Sequence, residues 1–301
     1  MPTPAWAQRP PKTILLATDL SCRSDRPLDR AADLTKLWNA RLVALTVLEA
    51  DSQSWLEREA ADDLPSWRRP PDRESVARAQ LIRDLPGALR NVEVLVREQG
   101  APAAVIGETA HEVGAELIVT GVARDEPLGR QYLGATVERL VRSSSIPMLV
   151  VRSRLRPYDE VLVGTDFSES SGHALIAAAR MFPNARLTAL HAWEVPYAGL
   201  LGRGSFAEQW EAVEQQTRDE FLARADLSAA DRARLRILSE RGPPEILIRS
   251  YMQDNRVDLV VIGSHGVGAV MERLIGSTAK RILRSAPGDV LVVREPRAAR
   301  C

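Results

Sequence analysis

Short unbroken apolar runs alternate along this chain with segments whose apolar positions recur at helical spacing. TILLATD (Thr13 to Asp19), RLVALTVLE (Arg41 to Glu49), VEVLVREQG (Val92 to Gly100), AELIVTG (Ala115 to Gly121) and PMLVVR (Pro147 to Arg152) read as strands. Runs that are apolar on both faces are those of a parallel sheet covered on each side by helices. Between them, Asp29 to Trp38 places Ala31, Leu34, Leu37 and Trp38 three or four residues apart, which predicts a helix lying on the sheet. Pro102 opens another helix, and one more begins near Ala135 after a loop. Residues 50–75 are charged, carry Trp55 and Trp67, and fit helix or loop.

Near Ser153 to Pro157 the pattern restarts. VLVGTDFS (Val161 to Ser168) repeats ILLATDLS (Ile14 to Ser21), and RLTALHAWE (Arg186 to Glu194) repeats RLVALTVLE. DLVVIG (Asp258 to Gly263) repeats ELIVTG, and VLVVR, ending at Arg294, repeats MLVVR. The same elements in the same order at a near-constant spacing define an internal duplication. The expected architecture is α/β: two tandem, Rossmann-like, doubly wound parallel-sheet domains over residues 12–153 and 157–301, after a flexible tail over residues 1–11. Sheets of this kind bind ligands in the crevice beyond the strand C-termini. In the second half that rim carries Asp166, His191 to Trp193 and the loop after Gly263.

Val257 to Arg294 holds the candidate chemistry. An apolar strand, Leu259 to Ile262, ends at Gly263; Gly266 follows, then Gly276, Ser277 and Thr278 at the head of a helix. Glycines let the backbone approach an anion, and the free N–H groups and dipole of a helix start attract it. Ser277 and Thr278 add hydroxyls for phosphate oxygens or a divalent cation. Asp166 is an acidic partner on the same rim or a cap of the following helix, two compatible roles.

Composition narrows the field. Lys plus Arg and Asp plus Glu number 40 each, so bulk charge favours neither a nucleic acid nor an anionic membrane. No run is long enough to span a bilayer or serve as a signal peptide, and Cys22 and Cys301 make no disulfide framework. A cytoplasmic location follows as the expectation. There is no GxxxxGK[ST] loop, the third glycine of a dinucleotide fingerprint is missing from GVGAVM, and no His/Cys/Asp cluster has zinc spacing. His191 and His265 read as a core and a loop residue, and Cys22 as an inert thiol, rather than as catalysts.

The spacing Gly263-x2-Gly266-x9-Gly276-Ser277, with TDFS after the first strand of that half and LHAW after the second, resembles the universal stress protein family, within the adenine nucleotide alpha hydrolase-like folds. The resemblance implies ATP as ligand, accompanied by magnesium or manganese. It implies that Thr165 and Asp166 lie beside the nucleoside and that the Ala192 backbone contacts adenine. Ile262, Gly263, His265 and Gly266 would line the site, and Gly276, Ser277 and Thr278 would hold phosphates. It also implies pairing through the fifth strand, here MLVVR with VLVVR, as an intramolecular pseudo-dimer; two chains associating as a homodimer is a further expectation. The first half departs from the motif: Arg124 stands at the place of Gly266 and Ala135 at that of Ser277, while Asp19 and Thr136 remain. Its site is expected to be empty or altered, or to serve another anion through Arg124. The implied function is an ATP-binding stress-response regulator with an unidentified protein partner. The alternatives are a slow ATPase and a scaffold without turnover.

Overall fold

A computed structural model describes residues 4–21, 25–48, 65, 72–86, 92–98, 100–125, 130–193, 205–264 and 275–294. In the first half, strands β1 (Thr13–Thr18), β2 (Arg41–Leu48), β3 (Val92–Glu98), β4 (Leu117–Gly121) and β7 (Met148–Val151) form the sheet. Helices α1 (Asp25–Trp38), α2 (Arg73–Asp84), α3 (Pro102–Glu112) and α4 (Ala135–Ser143) connect them. The second half repeats the plan with β8 (Glu160–Thr165), β9 (Arg186–Trp193), β10 (Leu235–Arg241), β11 (Leu259–Gly263) and β12 (Asp289–Val293). Its helices are α5 (Glu169–Met181), α6 (Ser205–Arg224), the short α7 (Ala229–Ala233), α8 (Pro244–Asp254) and α9 (Ser277–Ser285).

All these strands join one ten-stranded sheet in the order β10-β9-β8-β11-β12-β7-β4-β1-β2-β3. Pairing is parallel within each half, and the order reverses between β1 and β4 and again between β8 and β11. Those reversals are the switch points where such sheets open a crevice. At the centre β12 and β7 pair antiparallel, with Leu291 opposite Leu149, Val290 opposite Val150 and Val292 opposite Met148. Leu149 and Leu291 hold the same place in MLVVR and VLVVR, so the pseudo-twofold axis passes between equivalent residues. The pseudo-dimer expected of the fifth strands is this ladder.

Alternation along each strand sends side chains to two buried faces. Ile14 and Leu16 pack with α1 and α5 on one face; Leu15 and Ala17 pack with α3, α4, α8 and α9 on the other. Each cluster contains residues of both halves, so neither half closes its core alone. Asp289, fully buried at the start of β12, accepts backbone N–H bonds from Arg152 (2.7 Å) and Ser153 (2.8 Å) and the Tyr158 hydroxyl. The Arg30 guanidinium lies 3.4 Å from the same carboxylate and 3.9 Å over the Tyr158 ring. Burial pushes the Asp289 carboxyl above its ordinary range against the pull of these donors, and pushes the Tyr158 hydroxyl well up. The segment linking the halves is thus pinned by buried polar groups.

Two expectations change. The start of the chain is not a flexible tail from Pro4 onward. Trp6 is 4% exposed and meets the His173 ring edge-on at 5.5 Å, and Arg9 pairs with Glu116 at 2.8 Å. An indole offers too much apolar surface to leave in water when α5 lies within reach. The second change concerns the stretch between Gly121 and Gly134, expected as a loop. It contains a hairpin, β5 (Ala123–Asp125) against β6 (Arg130–Tyr132), with Arg124 opposite Gln131. Among the described residues no helix is long and apolar enough to cross a membrane.

Candidate functional site

The C-terminal ends of β8, β9 and β11 converge at the second switch point, and most of the candidate residues stand there. Thr165 ends β8, paired with His191 of β9; Ala192 follows on β9; Ile262 and Gly263 end β11, with Ile262 opposite Gly164. The sheet register therefore brings together residues from three separated stretches. His265 and Gly266 lie outside the described residues, as do Cys22, Cys301, Trp55 and Trp67.

The turn after β8 is fixed by its own side chains. Thr165 Oγ1 accepts from the Phe167 N–H at 3.0 Å and shares a 3.0 Å bond with the Ser171 hydroxyl. Asp166 Oδ1 accepts from the Ser168 N–H at 3.1 Å and from the Ser168 hydroxyl. Ser168, not Asp166, caps α5, accepting from the Ser171 N–H at 3.3 Å. This turn places Phe167 at φ 60°, a left-handed conformation that costs a non-glycine residue about 1–3 kcal/mol. His191 Nδ1 donates to the Thr165 carbonyl (3.0 Å), and the ring stacks on Phe167, with centroids 4.2 Å apart. It acts as a support for the turn.

Gly263 owes its identity to packing. A Cβ there would lie 2.5 Å from Ser170 Oγ and 2.8 Å from the Ser170 backbone, so only glycine lets β11 approach the first turn of α5. Ile262 is buried, which leaves its backbone as the part that can face the crevice. Beyond Gly263, Ser264 is fully buried; its N–H donates to Val293 O (3.0 Å) and its carbonyl accepts from the Gly276 N–H (2.9 Å). This bond ties together the two ends of the stretch that carries His265 and Gly266, and delivers the chain straight into α9.

At the head of α9 the N-cap residue is Gly276, as it is Gly134 at the head of α4, and a glycine supplies no capping side chain. The first N–H groups of a helix have no partner within it, so an uncapped start is a set of donors aimed at whatever lies ahead. Ser277 is exposed and Thr278 half-buried beside them. Arg281, which the sequence reading did not single out, donates to Thr278 Oγ1 at 3.4 Å and pairs with Glu245 at 3.3 Å. Its spacing, one turn after Thr278, was the signal available. Among the described residues no group of three His, Cys, Asp or Glu side chains gathers as a metal site.

The first half opens a cleft of about 450 Å3 at the matching place, lined from the ends of β1, β2 and β4 and the start of α4. Asp19 and Thr136, retained from the motif, line it together, and so does Arg73 from the head of α2, which sequence reasoning passed over.

A ten-stranded, doubly wound α/β sheet with a switch point in each half is an architecture in which ligands bind beyond the strand C-termini. The sequence profile of the Universal stress protein family matches residues 11–152 and again residues 157–294. The chain belongs to the universal stress protein family, as two domains in tandem. A universal stress protein of Mycobacterium tuberculosis is 30% identical, the match covering 94% of this chain and 97% of that one. One from Mycolicibacterium smegmatis is 27% identical over 93% of this chain and 96% of its own. Among solved structures, a universal stress protein from Archaeoglobus fulgidus superposes with a TM-score of 0.62, at 19% identity, over 95% of this chain and 99% of that one. A functionally unknown protein from Pseudomonas aeruginosa gives 0.63 at 22%, over 96% and 94%. A further solved universal stress protein, matching 46% of this chain and 98% of its own at 27% identity and a TM-score of 0.31, is in complex with cAMP.

Proposed function

We infer that this protein binds ATP in the second-half crevice and works as a nucleotide-responsive regulator rather than as a catalyst of rapid turnover. The observation that carries the reading is the glycine start of α9, at the switch point, with Ser277 and Thr278 in its first turn. Donor N–H groups, two hydroxyls and the helix dipole form a set suited to phosphate oxygens. The Thr165–Asp166 turn and the Ala192 backbone stand on the neighbouring strand ends, where a ribose and a base would rest. With no gathered metal ligands among the described residues, an accompanying magnesium or manganese ion would be held chiefly through phosphate oxygens, with Ser277 or Asp166 at its edge.

Regulation is favoured over turnover by the state of the rim side chains. Thr165 spends its hydroxyl on the turn, and Asp166 Oδ1 is engaged by the Ser168 N–H and hydroxyl, so both side chains serve to shape the rim. The regulatory reading calls for an output, through a protein partner or a second copy of the chain. The test is calorimetric titration of ATP with magnesium into the intact protein and into Gly276→Val/Ser277→Ala. Binding near one equivalent is expected, with a loss of about tenfold or more in affinity in the variant at unchanged melting temperature. Undiminished binding in the variant overturns the assignment. Magnesium-dependent ADP release above that of the same variant would instead support the slow ATPase.

A further inference from the structure

The sheet ends in two outer strands, β10 and β3, and they are not protected alike. At the two ends of β10, the Leu187 N–H of β9 donates to Arg234 O at 3.2 Å, and the Gly242 N–H donates to Trp193 O at 3.0 Å. In a parallel ladder alternate residues turn both backbone groups to the neighbouring strand, so Arg236, Leu238 and Glu240 face β9. Leu235, Ile237, Ser239 and Arg241 therefore turn their N–H and C=O outward, and no group among the described residues bonds to them there. Such a row is a template for another strand unless something blocks it.

On β3 something does. The Arg78 guanidinium of α2 donates to the Val94 carbonyl at 3.0 Å, laying a charged side chain along the strand. The charges of β3 are also taken within the chain: Glu93 pairs with Arg41, and Arg97 with Glu112 at 3.2 Å. On β10 they are open. Arg236 and Glu240 are exposed, two residues to either side of the half-buried Leu238, and neither makes an ion pair among the described residues. Opposite signs placed symmetrically about a central leucine are self-complementary. Turned through a twofold axis, the strand meets its own copy with arginine facing glutamate at both ends.

We propose that the β10 edge is a docking surface for a second copy of this chain, pairing β10 antiparallel with β10 across a twofold axis at Leu238. The register follows from the outward groups. Antiparallel strands bond where both residues turn their backbone to the partner, so Leu235 bonds to Arg241 of the second copy and Ile237 to Ser239 of the second copy. Leu238 then meets its own counterpart, and Arg236 meets Glu240, at the non-bonded positions between, where side chains stand closer. Moving the axis to Ile237 or Ser239 keeps backbone bonds but sets Leu238 against Arg236 or against Glu240, and loses both ion pairs. A twofold contact closes on itself, so the ten-stranded sheet continues into that of one partner and stops there. The contact does not depend on nucleotide, and it is tested without ATP.

Sedimentation velocity on the full chain, over about 1–100 μM, reads the association. The unmodified protein is expected to sediment as a dimer. Arg236→Glu, and separately Glu240→Arg, should weaken the dimer by about tenfold or more, because each turns two attractive pairs into two repulsive ones. The exchange Arg236→Glu/Glu240→Arg should restore it. Ser239→Pro removes an outward donor and sets a ring on the partner's side, which an edge strand tolerates within its own sheet. It should leave a monomer that melts cooperatively. The charge variants, at exposed positions, are read independently should the proline variant fail to fold. The proposal is overturned if the unmodified chain is monomeric at about 100 μM, or if the dimer survives both single charge reversals. It is equally overturned if the exchange fails to recover what the single reversals removed.

Discussion

Gly263 answers to a packing demand before any demand from a ligand. Its missing Cβ is what allows β11 to lie against Ser170, and backbone atoms at 2.8 Å cannot swing aside as a long side chain would. Gly263→Ala is expected to cost about 1–3 kcal/mol in denaturant unfolding of the ligand-free protein. Full stability with loss of ATP binding would show that the residue serves the ligand instead. Asp166 teaches a related lesson. From the sequence, TDFS offers an aspartate and a serine two positions apart, either of which caps a helix well. The choice falls to Ser168 because Phe167 takes a left-handed backbone, a feature that three-dimensional packing imposes and that no residue type in the turn announces. The polar residues of the rim were legible by type and place; the partners that occupy their atoms were not.

The two helices that face the crevices are held at their far ends by the opposite half. Arg152, just past β7, donates to the Leu283 and Ala286 carbonyls at the end of α9. Arg294, just past β12, donates to Val141 O at 2.7 Å and Arg142 O at 2.5 Å at the end of α4. Both arginines are buried, and a cation at a helix C-terminus satisfies carbonyls that have no partner along the helix. Glu138 of α4 adds an ion pair with Arg284 of α9, and the Arg284 hydrogen bond holds its carboxyl below the usual range. Arg294→Met should destabilise the protein by about 1.5–3 kcal/mol in urea unfolding, the range for hydrogen bonds to a charged group. A change under about 0.5 kcal/mol, that of an ordinary surface substitution, would deny the cap. The sequence displayed these arginines as the last letters of MLVVR and VLVVR. Their reach across the molecule becomes visible only with the antiparallel pairing of β7 and β12, since a parallel or absent contact would leave them at the surface.

Duplication fixes the plan of the whole molecule, and most of that plan could be read in advance, because apolar runs alternating with helical spacing recur twice. What escaped reading was local and tertiary together. The β5–β6 hairpin carries no Asn-Gly or Asp-Gly turn signal, and the burial of Trp6 depends on α5 of the other half. Continuous cores on each sheet face and a buried Asp289 tied to Arg30, Tyr158 and the linker couple the halves energetically. The two halves should therefore unfold in one transition by calorimetry and by far-ultraviolet circular dichroism. Asp289→Ala, which strands the Arg30 charge in the interior, should cost about 3–5 kcal/mol. Two separable transitions in the unmodified protein would contradict the coupling.

On the proposed function, the second half holds ATP and α9 is its phosphate anchor. Mass spectrometry of nucleotide released on denaturing freshly purified protein tests it most directly, with the unmodified chain beside Gly276→Val/Ser277→Ala. ATP is expected from the unmodified chain and its loss from the variant; equal amounts from both, or none from either, would rule out this site.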